Sequence, residues 1–241
     1  MIREIYSRLT FSTKSKLRFL FFFLFKRSSY QSYSNYTFSD ERLKFTHILE
    51  SINYSRVVSL NPIYFEFGCY SGRTFSAAVN AYKFLKIKDF ETYAFDSFQG
   101  LPENSESEGN VFKTGSFYMT KDDFIKEIRI NTKYNLEENY IIEGFYNKTL
   151  TKELSNTLKK PSVIHIDVDL YSSAKLVLDF ISPLLQVGAV ILIDDWYCFK
   201  PGENKGLQKA FKEFLEKNKN ISCENWKNYS TFGKSFIINK I

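Results

Sequence analysis

The sequence predicts an α/β fold: a Rossmann-like, mostly parallel sheet with helices on both faces. Three observations predict it. Short, near-continuous apolar runs (IYFEF, TYAFD, YIIE, VIHID, VILID) recur along the 241 residues. Stretches of helical periodicity separate them, and that alternation belongs to a parallel sheet covered on both sides. Finally, Glu66, Asp96, Asp167 and the pair Asp194–Asp195 all fall at predicted strand C-termini. Such sheets bind ligands beyond the carboxyl ends of their strands, so five acids are expected on one rim.

The elements follow in order. Residues 27–38, RSSYQSYSNYTF, are polar and read as a linker. Residues 39–52 read as a helix, with Ser39 as its cap and Asp40 and Glu41 at its positive end. Leu43, Ile48, Leu49 and Ile52 form its apolar face. After Pro62 come the strand IYFEF, the turn GCYSGRT and the helical FSAAVNAYKFLK. TYAFD (92–96) is the second strand, and the long loop at 97–117 is expected to be a lid. Its acidic stretch ENSESE reads as solvated. TKDDFIKEIRIN starts a helix capped by Thr120, with Asp122 and Asp123 in the first turn. NYIIEGF gives the third strand and SVIHID the fourth. The next helix carries Val177, Phe180, Ile181, Leu184 and Leu185 on one side. GAVILID is the fifth strand, and a helix burying Leu207, Ala210, Phe211, Phe214 and Leu215 follows. KSFIIN closes the chain as a last strand.

The charge is uneven. The net +6 sits in residues 1–30, where seven basic residues meet one acid, while the other 211 residues hold 26 bases and 26 acids. Residues 1–38 are thus a basic, aromatic arm and linker, and 39–241 a balanced domain with no nucleic-acid surface. The arm holds FLFFFLF at 19–25, far short of the roughly 20 residues that span a bilayer. Two readings of it stay open: peripheral contact with an anionic membrane through residues 1–30, or a helix docked on the domain or on a partner subunit. Cys69, Cys198 and Cys223 have neither disulfide-framework nor zinc spacing. They point to a reducing, cytoplasmic compartment, at the inner face of the membrane if the arm binds lipid.

EFGCYSGRT (66–74) is a strand, a tight glycine turn and a helix start. It is neither a P-loop nor G-x-G-x-x-G. An acid two residues before the first glycine argues against a phosphate and for a ligand bearing a cation. S-adenosylmethionine (SAM), with its amino group and sulfonium, fits better than a dinucleotide. Asp96, at the end of the next strand, can accept from ribose hydroxyls. Two adjacent acids on one strand end and one from its neighbour can give magnesium a carboxylate face with open positions. The alternative is solvated acids, or ion pairs with Lys or Arg. His165 reads as a buried core histidine, His47 as packing, and Asp169 as a cap for the helix that opens YSSA. Trp196 and Tyr197 suit either a sugar-stacking role or a wall.

FEFGCYSGRTF, FDSFQGLPE, IIEGFYNKTL, IHIDVDLYSSA and GAVILIDDWY occur in this order. Together they resemble the macrocin O-methyltransferase (TylF-type) family over about residues 60–215. The resemblance implies the class I methyltransferase fold, SAM, magnesium (Mg2+) or another divalent cation, and O-methylation of a sugar or glycan-like acceptor. It implies that Glu66, Gly68, Gly72, Asp96 and Gly144 line the SAM site, and Tyr70, Ser71, Thr74 and Ser97 are expected there beside them. It implies Asp167, Asp194 and Asp195 as metal ligands. A homo-oligomer is expected. In the mechanism expected here, a metal-bound hydroxyl is aligned with the methyl donor and Asp167 takes its proton. The rivals are a nicotinamide dehydrogenase and a non-catalytic Rossmann-like domain attached to membrane or assembly by its basic arm. The missing third glycine counts against the first, and the retained acids count against the second.

Overall fold

A computed structural model describes residues 29–103, 112–200 and 202–241. The arm readings for residues 1–28, FLFFFLF included, lie outside the described residues, as does most of ENSESE. Helix α1 (Ser29–Val57) leads into β1 (Ile63–Phe67), α2 (Arg73–Phe84) and β2 (Glu91–Asp96). Then come α3 (Lys121–Thr132), β3 (Ile141–Glu143) and two short helices, α4 (Tyr146–Thr149) and α5 (Lys152–Thr157). The chain continues through β4 (Val163–Ile166), α6 (Tyr171–Ile181), β5 (Val190–Ile193) and α7 (Gly206–Lys217). It ends in a hairpin, β6 (Ser222–Tyr229) and β7 (Gly233–Lys240). Among the described residues no helix is long and apolar enough to cross a membrane.

The seven strands are ordered β3-β2-β1-β4-β5-β7-β6. All pairings from β3 to β5 are parallel, and β7 runs antiparallel to both β5 and β6. The chain leaves β1 toward β2 on one side and returns to β4 on the other, so strand order reverses at the β1/β4 boundary. A crevice opens at such a switch point because the two crossovers diverge there.

Strand alternation divides the core into two layers. Phe65, Phe67, Ile164, Ile166, Ile191 and Ile193 face α6 and α7, packing on Val177, Phe180, Phe211 and Phe214. Tyr64, Val163, Val190 and Leu192 face the other way, toward Ile48, Ile52, Phe75, Val79, Phe124 and Ile128 of α1, α2 and α3. Glu66, His165 and Asp194 share the parity of that second layer. Three acidic or basic side chains are therefore aimed at the α1 side of the sheet by register alone.

Several expectations change. The segment read as a linker is helical from Ser29 on, and Ser39 lies inside α1 rather than capping it. Leu43 is exposed, whereas Ile48 and Ile52 are buried. Strand β6 escaped prediction because it is a polar edge strand with most of its side chains in water. Thr120 does cap α3, its hydroxyl accepting from the Asp123 N–H at 3.1 Å.

Gly68 shows how tightly β1 and β4 meet. Its φ is +82°, and a Cβ there would stand 1.8 Å from the Asp167 carbonyl oxygen. Gly115 also has positive φ but open space around it. Gly68→Ala is expected to cost about 3 kcal/mol or more, from backbone strain and overpacking together. Gly115→Ala should cost only about 1 kcal/mol, from strain alone. Urea denaturation of both variants checks this; equal losses would contradict it.

Candidate active site

A cleft of about 890 Å³ lies across the carboxyl ends of β1 to β5. That is room for a ligand of cofactor size beside an acceptor. Its floor is the turn after β1. Asp96 ends β2 and accepts from the N–H groups of Cys69 (2.7 Å) and Tyr70 (3.1 Å) with Oδ2, and from Phe98 N–H (2.7 Å) with Oδ1. The turn is thus tied to β2 by a carboxylate, which retains lone-pair capacity for a hydroxyl facing the cleft. Ser97 folds its own loop, donating to Gly100 O at 2.9 Å. Tyr70 and Phe117 stand edge to face, with centroids 5.5 Å apart, and both line the cleft. The two ends of the predicted lid are pinned together by Leu101 N–H to Ser116 O and Gly115 N–H to Leu101 O, both at 2.9 Å.

Gly68, Tyr70, Asp96, Ser97 and Gly144 line the cleft; Glu66, Ser71, Gly72 and Thr74 do not. Glu66 is fully buried. One carboxylate oxygen accepts from Thr74 Oγ1 at 2.9 Å, and the other accepts from the Tyr64 hydroxyl and lies 3.5 Å from His165 Nδ1. Alternation turns this acid into the α1 layer, away from the ligand the sequence suggested for it. Gly72 sits against Phe124 and Ile128 of α3, so it serves helix packing.

The acid corner forms where β4 and β5 end. Ligand atoms of His165, Asp167 and Asp194 lie within 4.8 Å of one another, and so do those of Asp167, Asp169 and Asp195. Asp167 therefore points into the Asp194–Asp195 corner, and Asp169 joins it. Asp169 adopts φ +59°, and the helix α6 is capped at Leu170 without a side-chain bond. The expected cap is instead a fourth carboxylate of the site. Alternation could not show this, because β4 stops at Ile166.

Two cations reach the corner. His165, with no exposed surface, sits with Nε2 4.0 Å from Asp194 Oδ1, an ion pair and not a hydrogen bond. Lys44 of α1 pairs with Asp194 Oδ2. This residue carried no sequence signal, since it lies 150 positions from its partner. It supplies at Asp194 the Lys ion pair that the sequence left as the alternative for these acids. Helix α1 is held over the site by Asp40, which accepts from Thr231 N–H at 2.7 Å, and by Glu41 paired with Arg73.

These charges set the protonation pattern. Burial opposes ionisation of Asp194, but His165 and Lys44 outweigh it and hold its carboxyl at about 2. Burial, then Asp194 and Asp195, pushes Asp167 well above the usual carboxylate range. Burial, then Asp195 and Asp167, pushes Asp169 up to about 10. Burial also lifts Asp195, with Asp194 adding to it. For His165 burial disfavours the charged ring, yet Asp194 and Glu66 raise it to about 10.

The donor set fits a small hard cation. Asp194 Oδ1 and Asp195 Oδ2 are buried without a hydrogen-bond partner. Among the described residues four carboxylates meet two basic groups, so the remaining acids are balanced by holding protons or by a further cation. Trp196 packs on Phe211 and Phe236, and Tyr197 donates to Asn228 Oδ1 at 3.1 Å, so both are structural.

The O-methyltransferase NovP resembles the chain with a TM-score of 0.69 at 19% identity, over 83% of this chain and 80% of that one. CalS11, a calicheamicin methyltransferase, gives 0.62 at 16%, over 98% and 89%. TomG, a Streptomyces achromogenes O-methyltransferase of tomaymycin synthesis solved with SAM, gives 0.52 at 10%, over 83% and 79%. These likenesses establish the class I methyltransferase fold. No curated protein matches the chain. The profile of the macrocin O-methyltransferase (TylF) family matches residues 34–224. The chain belongs to that family and is a SAM-dependent O-methyltransferase.

Proposed function

We propose that the chain methylates a hydroxyl of a sugar or glycan-like acceptor with the help of a divalent cation. The observation that carries this reading is the convergence of Asp167, Asp169, Asp194 and Asp195 on the cleft that the Gly68–Tyr70 turn and Asp96 floor. The sugar acceptor draws on the family and on CalS11, described as a TDP-rhamnose 3'-O-methyltransferase. The rings of Tyr70 and Phe117 at the mouth supply apolar faces suited to the C–H side of a sugar.

Asp96, Ser97, Gly68 and Gly144 would hold SAM, which supplies a methyl group on a sulfonium. Asp167, Asp194 and Asp195, with Asp169 beside them, would hold the cation, which supplies Lewis acidity to a hydroxyl. Asp167, whose carboxyl is pushed up by burial and by its acidic neighbours, lines the cleft and in its ionised form would take the acceptor's proton on a carboxylate oxygen. Leu101, Pro102 and Phe117 line the cleft beside these groups and limit water there. For the arm, peripheral membrane contact through residues 1–30 and docking on the domain or on a partner subunit both stay open in this proposal, and a homo-oligomer is its expected assembly.

Incubation with labelled SAM, Mg2+ and a panel of sugar nucleotides and glycan fragments tests the reading; label on none of them, or only on non-sugar acceptors, would overturn it. Asp195→Asn should lower kcat by roughly 10²-fold or more while SAM affinity stays within about threefold. Asp96→Asn should weaken SAM binding first. Calorimetric SAM titration of both variants separates the roles, and a parallel loss of SAM binding in both would contradict them.

Stability should follow pH in a defined direction. Asp169 is raised from 3.8 to about 10 and His165 from 6.5 to about 10. The folded state thus keeps protons that the unfolded chain releases, so through Asp169 stability falls as pH rises from about 4, and more steeply between about 6.5 and 10, where His165 adds its loss. In EDTA, Tm is expected to drop across this window. Millimolar Mg2+ should raise Tm more at pH 9 than at pH 6.5, because there it competes with fewer protons. A Tm unmoved by Mg2+ at both pH values would count against cation binding.

A further inference from the structure

The acid corner has one basic partner that cannot leave and one that can. His165 has no exposed surface and is held between Glu66 and Asp194. Lys44 enters from α1, its side chain is 24% exposed, and it lines the open cleft. Its four-carbon stem lets the ammonium swing without moving the helix. The helix stays anchored elsewhere, by Asp40 to Thr231, Glu41 to Arg73, and Glu50 to Lys227 at 3.0 Å.

Lys44 occupies Asp194 Oδ2, the outer oxygen of the carboxylate whose inner oxygen faces His165. A divalent cation held by Asp194 together with Asp167 or Asp195 would meet the ammonium at close range. Two like charges on one carboxylate repel strongly in a site this buried. Without the divalent cation and without Lys44, His165 would be the one basic partner left to the four carboxylates among the described residues, and their mutual repulsion would be larger still.

We propose that Lys44 is an exchangeable counter-ion of the acid corner: it neutralises Asp194 when no divalent cation is bound and is displaced into the cleft when one binds. This rests on the cation-assisted reading above. Lys44 is then a positioning residue with two places. In one it keeps the empty corner folded; in the other it stands free at the cleft wall, where acceptor oxygens pass.

The test is direct binding, without SAM or acceptor, so that turnover plays no part. Mn2+ is titrated into the wild-type protein and the Lys44→Met and Lys44→Arg variants, followed by the loss of the free-ion paramagnetic resonance signal. Lys44→Met should bind Mn2+ roughly tenfold more tightly, since no ammonium need be displaced, and Lys44→Arg should stay near wild type. A second measurement uses the wild-type chain alone and does not depend on a variant folding. Acylation of Lys44, followed by mass spectrometry, should speed up at least threefold when Mn2+ is added, while Lys212 on the far surface serves as the unchanged reference. Unchanged or weaker Mn2+ binding by folded Lys44→Met, or Lys44 labelling insensitive to Mn2+, overturns this inference alone. Absence of Mn2+ binding to every protein overturns it together with the cation-assisted reading.

Discussion

Four carboxylates crowd the ends of two adjacent strands, and most of the site's architecture answers the repulsion between them. Burial raises the cost of each negative charge, and proximity raises it again. The fold meets that cost in three ways. His165 supplies a charge from within the sheet, Lys44 supplies one from α1, and the remaining acids are pushed upward so that they hold protons. Only Asp194, between the two basic groups, is driven down. That imbalance is what the proposed divalent cation would relieve.

The geometry that assembles the corner is backbone geometry. Parallel pairing of β1 with β4 and of β4 with β5 aligns their ends, and Gly68 lets the β1 turn pass against the Asp167 carbonyl. Asp96 then ties that turn to β2 through three N–H groups. The Asp96 side and the acid side of the cleft thereby share one turn. Helix α1 is the exception. It is packed on the second core layer through Ile48 and Ile52, but its contacts near the site are polar.

Glu66 shows what a motif reading misses. In the sequence it stands two residues before the glycine and looks like a ligand to a cationic group. In the structure it is the centre of a buried network with Tyr64, Thr74 and His165. Its chemistry reaches the site only through His165, which shares it with Asp194. The acid is then a support for the corner's charge balance rather than a wall of the cleft. Asp169 shows the converse. It resembled a helix cap and instead completes the corner, because a left-handed residue after β4 turns its carboxylate back toward Asp195.

Local and periodic features were legible in the sequence alone: the parallel strands, the covering helices, the Thr120 cap, the glycine turn and the gathering of acids on one rim. Each depends on neighbours in the chain or on the rule that parallel strands end together. Tertiary structure decided the rest. Lys44 meets Asp194 across 150 residues, β6 pairs as a polar edge strand, and α1 extends back to Ser29. Charge pairing acts through space and leaves no periodic trace. Alternation fixes the side of a residue only while the strand lasts. Beyond Ile166 and Ile193, where the acids stand, only the folded backbone could say which carboxylates face one another.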